Sequence, residues 1–149
     1  MQDATDAPLD AAIRTTVLSR FDVVRIDGAA HLVATAPIGA GVAILELVGV
    51  VRPTPDRYSV QLDDGAHLHP PDEFDADDDR YFWRFLNHSC APNAAFAGRT
   101  LVALRRIQAG DEITFDYNTT EADMATPFRC RCGHCFGRMI RGYLHESTR

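Results

Sequence analysis

This sequence predicts a mostly β domain of small sheets. Three observations predict it. Short runs rich in β-branched residues recur along the chain, turn residues close nearly every one of them, and only one segment in the middle looks helical. At 149 residues and 46 % apolar composition, the chain has the size and content of one globular domain with a real core.

The elements follow in order. Residues 1–19 are polar and acidic and read as an N-terminal arm, not a secretory signal. RFDVVRI (20–26) closes at Asp27-Gly28, and HLVATA (31–36) closes at Pro37. VAILELVGVV (42–51) reads as one strand ending before Pro53 and Pro55. YSVQL (58–62) stops at Asp63-Asp64-Gly65 and places Tyr58 on a middle strand. An extended segment follows in which His67 and His69 alternate, and both read as ordinary, partly exposed histidines. DEFDADDD (72–79) is a solvated acidic loop or, on a sharper reading, a rim that attracts a basic peptide. DRYFWRFL (79–86) is the helical segment, one or two turns long. TLVALRRI (100–107) and DEITFDY (111–117) are the last strands, separated by Ala109-Gly110. In the second, Phe115 and Tyr117 fall on one face of the strand.

Charge and composition exclude several functions. The net charge of −6 argues against a nucleic-acid partner. No apolar run approaches the roughly 18 residues of a membrane span, so no membrane partner is expected. All 15 basic residues are arginine, which rules out a lysine nucleophile or Schiff base. Lysine avoidance alongside abundant Ala, Arg, Asp and Gly fits a GC-rich bacterial genome. A cytoplasmic location is expected, where thiols stay reduced or bind metal.

Four cysteines carry the first chemical signal. Cys130, Cys132 and Cys135 stand together in CRCGHC, and Cys90 lies 40 residues upstream in RFLNHSCAPNAAF. Clustered thiolates suit tetrahedral Zn2+. A site using all four would be structural, with no open position for a water, and would clamp the tail to the loop at residue 90. His134 would substitute if one thiol were not a ligand. Buried, unligated cysteine is the alternative.

Three stretches together resemble the SET-domain protein-lysine methyltransferases. They are RFLNHSCAPNA (84–94), AGDEITFDYN (109–118) and FRCRCGHCFG (128–137), the last like that family's post-SET segment. ATAPIGAGVAILELVGVV (34–51) is similar to the family's first two strands. The resemblance implies a SET domain over 20–119 and a post-SET zinc-binding segment and tail over 120–149. It implies a β-clip of small curled sheets with a C-terminal pseudoknot, where Asn87, His88 and Tyr117 meet. It also implies S-adenosylmethionine on one face and a substrate amine entering a narrow channel from the other. Asn87 and His88 would contact the cofactor, Met139 and Ile140 would cover its adenine, and Cys90 would complete the zinc site with Cys130, Cys132 and Cys135. Tyr117 would contact the cofactor and be the orienting hydroxyl beside the reacting nitrogen and sulfur, and Tyr58 would line the channel. Phe115, at a position often Phe or Tyr, would leave room for repeated methylation. Ala29-Ala30-His31 stands where the family has Gly-x-Gly, so His31 and Leu32 would lie beside the cofactor, with His31 recruited into the pocket.

The reading of function is an S-adenosylmethionine-dependent methyltransferase acting on a lysine of a protein or peptide. The alternatives are an enzyme acting on a small-molecule amine and a zinc-stabilised interaction module without activity. A homodimer that completes the substrate groove is a further expectation.

Overall fold

The computed structural model describes residues 20–146, so the arm expected at 1–19 lies outside the described residues. β1 (Phe21–Ile26) and β2 (Ala29–Ala34) form an antiparallel hairpin. Its turn, Asp27-Gly28, has φ of 51° and 82°, the positive pair that a type I′ turn requires. Ala29, Ala30 and His31 enter the ladder directly without positive φ, so no glycine is demanded there by torsion.

The run 42–51 is two strands rather than one, β3 (Ala43–Glu46) and β4 (Val50–Arg52). The break falls at Gly49, where any Cβ would collide with the His69 carbonyl oxygen. Only a residue without Cβ lets the two segments approach, and the chain changes sheets there. β5 (Val60–Asp63) and β6 (Ala66–His69) complete a sheet ordered β4-β6-β5. Tyr58 lies in the turn before β5, not on the strand.

The expectation of partly exposed histidines is wrong for β6, because that strand is central in its sheet. His67 is 7 % and His69 5 % exposed. His69 Nε2 reaches the Thr54 carbonyl at 2.8 Å, whereas His67 Nδ1 is buried without a hydrogen-bond partner. Burial, then the neighbouring His69, holds the His67 pKa below its usual value. The folded chain therefore resists a proton that the unfolded chain accepts near pH 6.5. Stability is present above that pH and lost as pH falls below it. Thermal melting should shift down from pH 7.5 to 5.5, and His67→Gln should flatten that dependence. Parallel pH profiles for the two proteins would refute this account.

A 3₁₀ helix spans Asp79–Phe85, capped by the Asp78 carboxylate accepting from the Arg80 N–H at 3.1 Å. It buries Trp83, whose Nε1 donates to Val48 O at 3.0 Å. β7 (Asn87–His88) and β8 (Ala94–Ala97) follow, and β9 (Thr100–Ala103) sits between β3 and β8. β10 (Thr114–Phe115) pairs in parallel with β7.

The expected strand 111–117 is thus regular over two residues only. Before it, the chain zips onto β2 through Ala34 N–H to Asp111 O (2.9 Å) and Ile113 N–H to Leu32 O (2.8 Å). After it, Tyr117 begins a second 3₁₀ turn, Tyr117–Thr119. Phe115 and Tyr117 are therefore not alternate positions of one strand, although their ring centroids lie 4.9 Å apart.

β11 (Phe128–Arg129) and β12 (Met139–Ile140) pair antiparallel in the tail. Leu32, Ile44, Leu68, Leu101, Ile107 and Ile113 form a fully buried core that joins the sheets. Apolar burial at about 25 cal/mol per Å² is what holds elements this short together. Among the described residues no helix is long and apolar enough to cross a membrane.

Candidate functional site

The site forms where β10 passes beside β7 and the hairpin. Asn93 stitches the crossing from below, donating from Nδ2 to Glu112 O (2.8 Å) and accepting at Oδ1 from Thr114 N–H (3.0 Å). Asn87 Nδ2 donates to Ala30 O (2.9 Å) and to Glu112 Oε2 (2.8 Å). His31 Nδ1 donates to the same carboxylate oxygen at 3.0 Å. Three chain segments are thereby tied by polar side chains whose buried partners are all satisfied.

His88 joins this crossing to the cysteines. Its ring is buried, and its Nδ1 accepts the Tyr117 N–H at 3.0 Å. That fixes the proton on Nε2, which faces Cys90 Sγ at 3.3 Å. Burial lowers the His88 pKa, outweighing the pull of Asp116 in the opposite direction. The Tyr117 hydroxyl donates to Leu86 O at 2.5 Å. Burial, then the charges of Glu112 and Glu121, pushes the Tyr117 pKa up, so the phenol keeps its proton. Rings of Phe115, His88 and Phe128 surround it at 4.9, 5.3 and 5.8 Å.

Two cavities share Tyr117 in their walls. A wide groove of about 970 Å³ is lined by His31, Asn87, His88, Glu112, Thr114 and Phe128, among others. A narrow pocket of about 30 Å³ is lined by Tyr58, Trp83, Leu86, Phe115, Glu121 and neighbours. Arg57, Tyr58, Arg84, Tyr117, Met124 and Thr126 border both. Despite the acidic chain, the groove carries Arg57, Arg84, Arg105, Arg129 and Arg131 against the acids Asp111 and Glu112.

Of the expected site residues, His31, Asn87, His88, Tyr117, Phe115 and Tyr58 come together here. Leu32 and Ile140 do not, because both side chains are fully buried, and neither they nor Met139 lines either cavity. The pleat sends Leu32 into the core while His31 faces the groove. No residue of 72–79 lines either cavity, although Arg84, which borders both, lies over the Phe74 ring at 4.8 Å and donates to Ala76 O at 3.2 Å. Asp72 pairs instead with Arg52 at 2.6 Å, and Asp78 caps the helix.

Sequence reasoning missed Glu112, Asn93 and Glu121. The first two sat inside quoted motifs as unexplained polar residues. Glu121 lies between AGDEITFDYN and FRCRCGHCFG, with no pattern to mark it.

The four cysteine sulfurs lie within 4.8 Å of one another. Cys90 and Cys130 are 3.8 Å apart, and Cys132 and Cys135 are 3.9 Å apart. With Zn–S bonds of about 2.3 Å, the edge of a ZnS₄ tetrahedron is about 3.8 Å. N–H groups of Cys132 and His134 point at the sulfurs of Cys130 (3.4 Å) and Cys132 (3.3 Å). Burial and thiol crowding raise the Cys90 and Cys130 pKa values, so a cation between the sulfurs is what would allow all four to ionise. The residues fit zinc closely, and His134, which is exposed, is not needed as a ligand.

Comparison with known proteins gives the same direction. The SET domain profile matches residues 30–118. A histone-lysine N-methyltransferase, H3 lysine-36 specific, of Yarrowia lipolytica is 35 % identical over 123 residues, covering 70 % of this chain and 16 % of that protein. Methyltransferase flvH of Aspergillus flavus is 42 % identical over 70 residues, 43 % of this chain and 39 % of its own. Among solved structures, KRYPTONITE in complex with mCHG DNA and SAH shares the fold with a TM-score of 0.59 and 24 % identity, over 80 % of this chain and 29 % of that one. The chain thus spans well under half of each of these proteins. That complex contains DNA, so the exclusion of nucleic acid from net charge finds no support there.

Proposed function

The chain belongs to the SET-domain family, and from that premise we propose that it is an S-adenosylmethionine-dependent methyltransferase acting on a lysine amine of a protein or peptide. The observation that carries this reading is that a wide groove and a narrow pocket share one phenol, Tyr117, in their walls.

The groove fits the cofactor in size and charge. Volumes of 300–1,000 Å³ are those of small-molecule sites. Acidic Glu112 and basic Arg105 supply partners for an amino acid's two charged ends. When bound, the cofactor supplies a methyl on a sulfonium for in-line transfer to an amine.

The chain's own residues supply alignment and dryness. The Tyr117 hydroxyl, its proton committed to Leu86 O, offers its oxygen to an amine N–H in the narrow pocket. Apolar walls from Trp83, Leu86 and Phe115 exclude water and favour the neutral, nucleophilic amine over the ammonium. A group held in near-attack geometry gains several kcal/mol of the barrier.

Labelled-methyl transfer to lysine peptides, with small amines in parallel, tests the proposal. Transfer to the peptides is expected, and saturable cofactor binding without any transfer would refute it. Methyl transfer confined to the small amines would favour the second reading.

Phe115, 3 % exposed, forms the pocket wall against Tyr117. It has no hydroxyl to narrow the space or to hold an amine N–H. More than one methyl per amine is expected from the natural enzyme, with Phe115→Tyr stopping at fewer. Identical product masses from both would overturn that assignment.

A further inference from the structure

We propose that Glu121 is the group through which the narrow pocket recognises the substrate's ammonium, an inference that rests on the amine-methylation reading above. Glu121 is 7 % exposed and lines the pocket with Tyr117, Trp83, Leu86 and Phe115. Its Oε2 accepts from Gln61 N–H (2.9 Å) and Thr120 Oγ1 (2.7 Å). Both bonds fall on one oxygen, which leaves Oε1 uncommitted. Among the described residues no arginine or histidine forms an ion pair with it.

A carboxylate this buried is almost always paired, because desolvating a lone charge is costly. Burial accordingly pushes its pKa up. The pocket has space for about two water-sized groups, enough for an ammonium head and little else. An ammonium there would supply the missing cation, with charge-assisted hydrogen bonds to Oε1 and a further N–H toward Tyr117. For transfer, the bound ammonium first gives one proton to Glu121 Oε1, and the neutral amine's lone pair then forms the nitrogen–methyl bond as the methyl–sulfur bond breaks.

A purely structural role is the competing account, since Gln61 also accepts from Ala122 N–H (2.8 Å) and ties the tail to β5. The experiment uses the chain's one tryptophan, Trp83, which lines the same pocket. Its fluorescence is followed while n-butylammonium chloride is titrated at constant ionic strength, against 1-butanol as the neutral counterpart. A saturable change is expected in the natural protein, with affinity at least tenfold weaker in Glu121→Gln, and no difference between the two for butanol. Glutamine retains an acceptor for Gln61 and Thr120, so a structural role would move the melting temperature but not the amine affinity. Should Glu121→Gln fail to fold, Glu121→Asp keeps the charge but retracts it, and an intermediate affinity is expected. Equal affinities, or no saturable change in the natural protein, overturn the inference. Ammonium binding without methyl transfer to any amine would refute the catalytic reading and leave the cation site standing.

Discussion

Stripping zinc from the protein should open the C-terminal segment and abolish methyl transfer. The metal's ligands join Cys90, on the loop after β7, to Cys130, Cys132 and Cys135 in the tail. Between AGDEITFDYN and the first tail cysteine, the chain supplies Met124, Thr126, Phe128 and Arg129 to the cavity walls. Besides the metal, the tail is tied to the body by the Phe128 ring, 5.8 Å from the rings of His88 and Tyr117, and by hydrogen bonds such as Ala122 N–H to Gln61 Oε1 at 2.8 Å, each worth about 1 kcal/mol net. Structural zinc sites contribute about 10–16 kcal/mol of apparent binding free energy.

His88 extends the consequence inward, because its Nε2 meets Cys90 Sγ and its Nδ1 accepts the Tyr117 N–H. One zinc per chain is expected by metal analysis. Chelation, or Cys132→Ser, should lower the melting temperature by roughly 10 °C or more, at about 2–4 °C per kcal/mol. Purified protein without stoichiometric metal, indifferent to chelator, would contradict the arrangement.

The second large effect belongs to Tyr117→Phe. Removing the hydroxyl leaves the buried Leu86 carbonyl without its 2.5 Å partner and the pocket without its orienting oxygen. The first loss destabilises the fold by about 1–3 kcal/mol. The second should lower kcat by roughly 10²-fold or more, since misplacing a reacting group by about 1 Å has that effect. Cofactor affinity by calorimetry should stay near the natural value, because the groove's polar contacts at His31, Asn87 and Glu112 are untouched. A variant with unimpaired kcat would remove Tyr117 from the mechanism.

Legibility in the sequence followed the range of the interactions. The hairpin at Asp27-Gly28 was legible because a two-residue I′ turn is decided by the torsions of two residues. The helix at 79–85 was legible from its aromatic run, although Asp78 as its cap was hidden in an acidic stretch read as solvated. The cysteines were legible because metal ligation constrains residue type as well as spacing. β6 was misread because alternating histidines look half-exposed, and only pairing on both sides buried them.

By itself, then, the sequence determined the hairpin at Asp27-Gly28, the helical segment at 79–85, the four thiols, and the Asn-His and Asp-Tyr motifs of a SET domain. Each is written in neighbouring residues and needs little more than local torsion or donor chemistry. Tertiary structure alone decided that Gly49 breaks one run into two sheets, that Glu112 takes hydrogen bonds from both His31 and Asn87, and that Leu32 and Ile140 face inward. It also decided that Glu121 stands unpaired beside Tyr117. These depend on contacts between residues tens of positions apart. Such contacts form because burying the shared core outweighs local preference, and no short window of sequence records them.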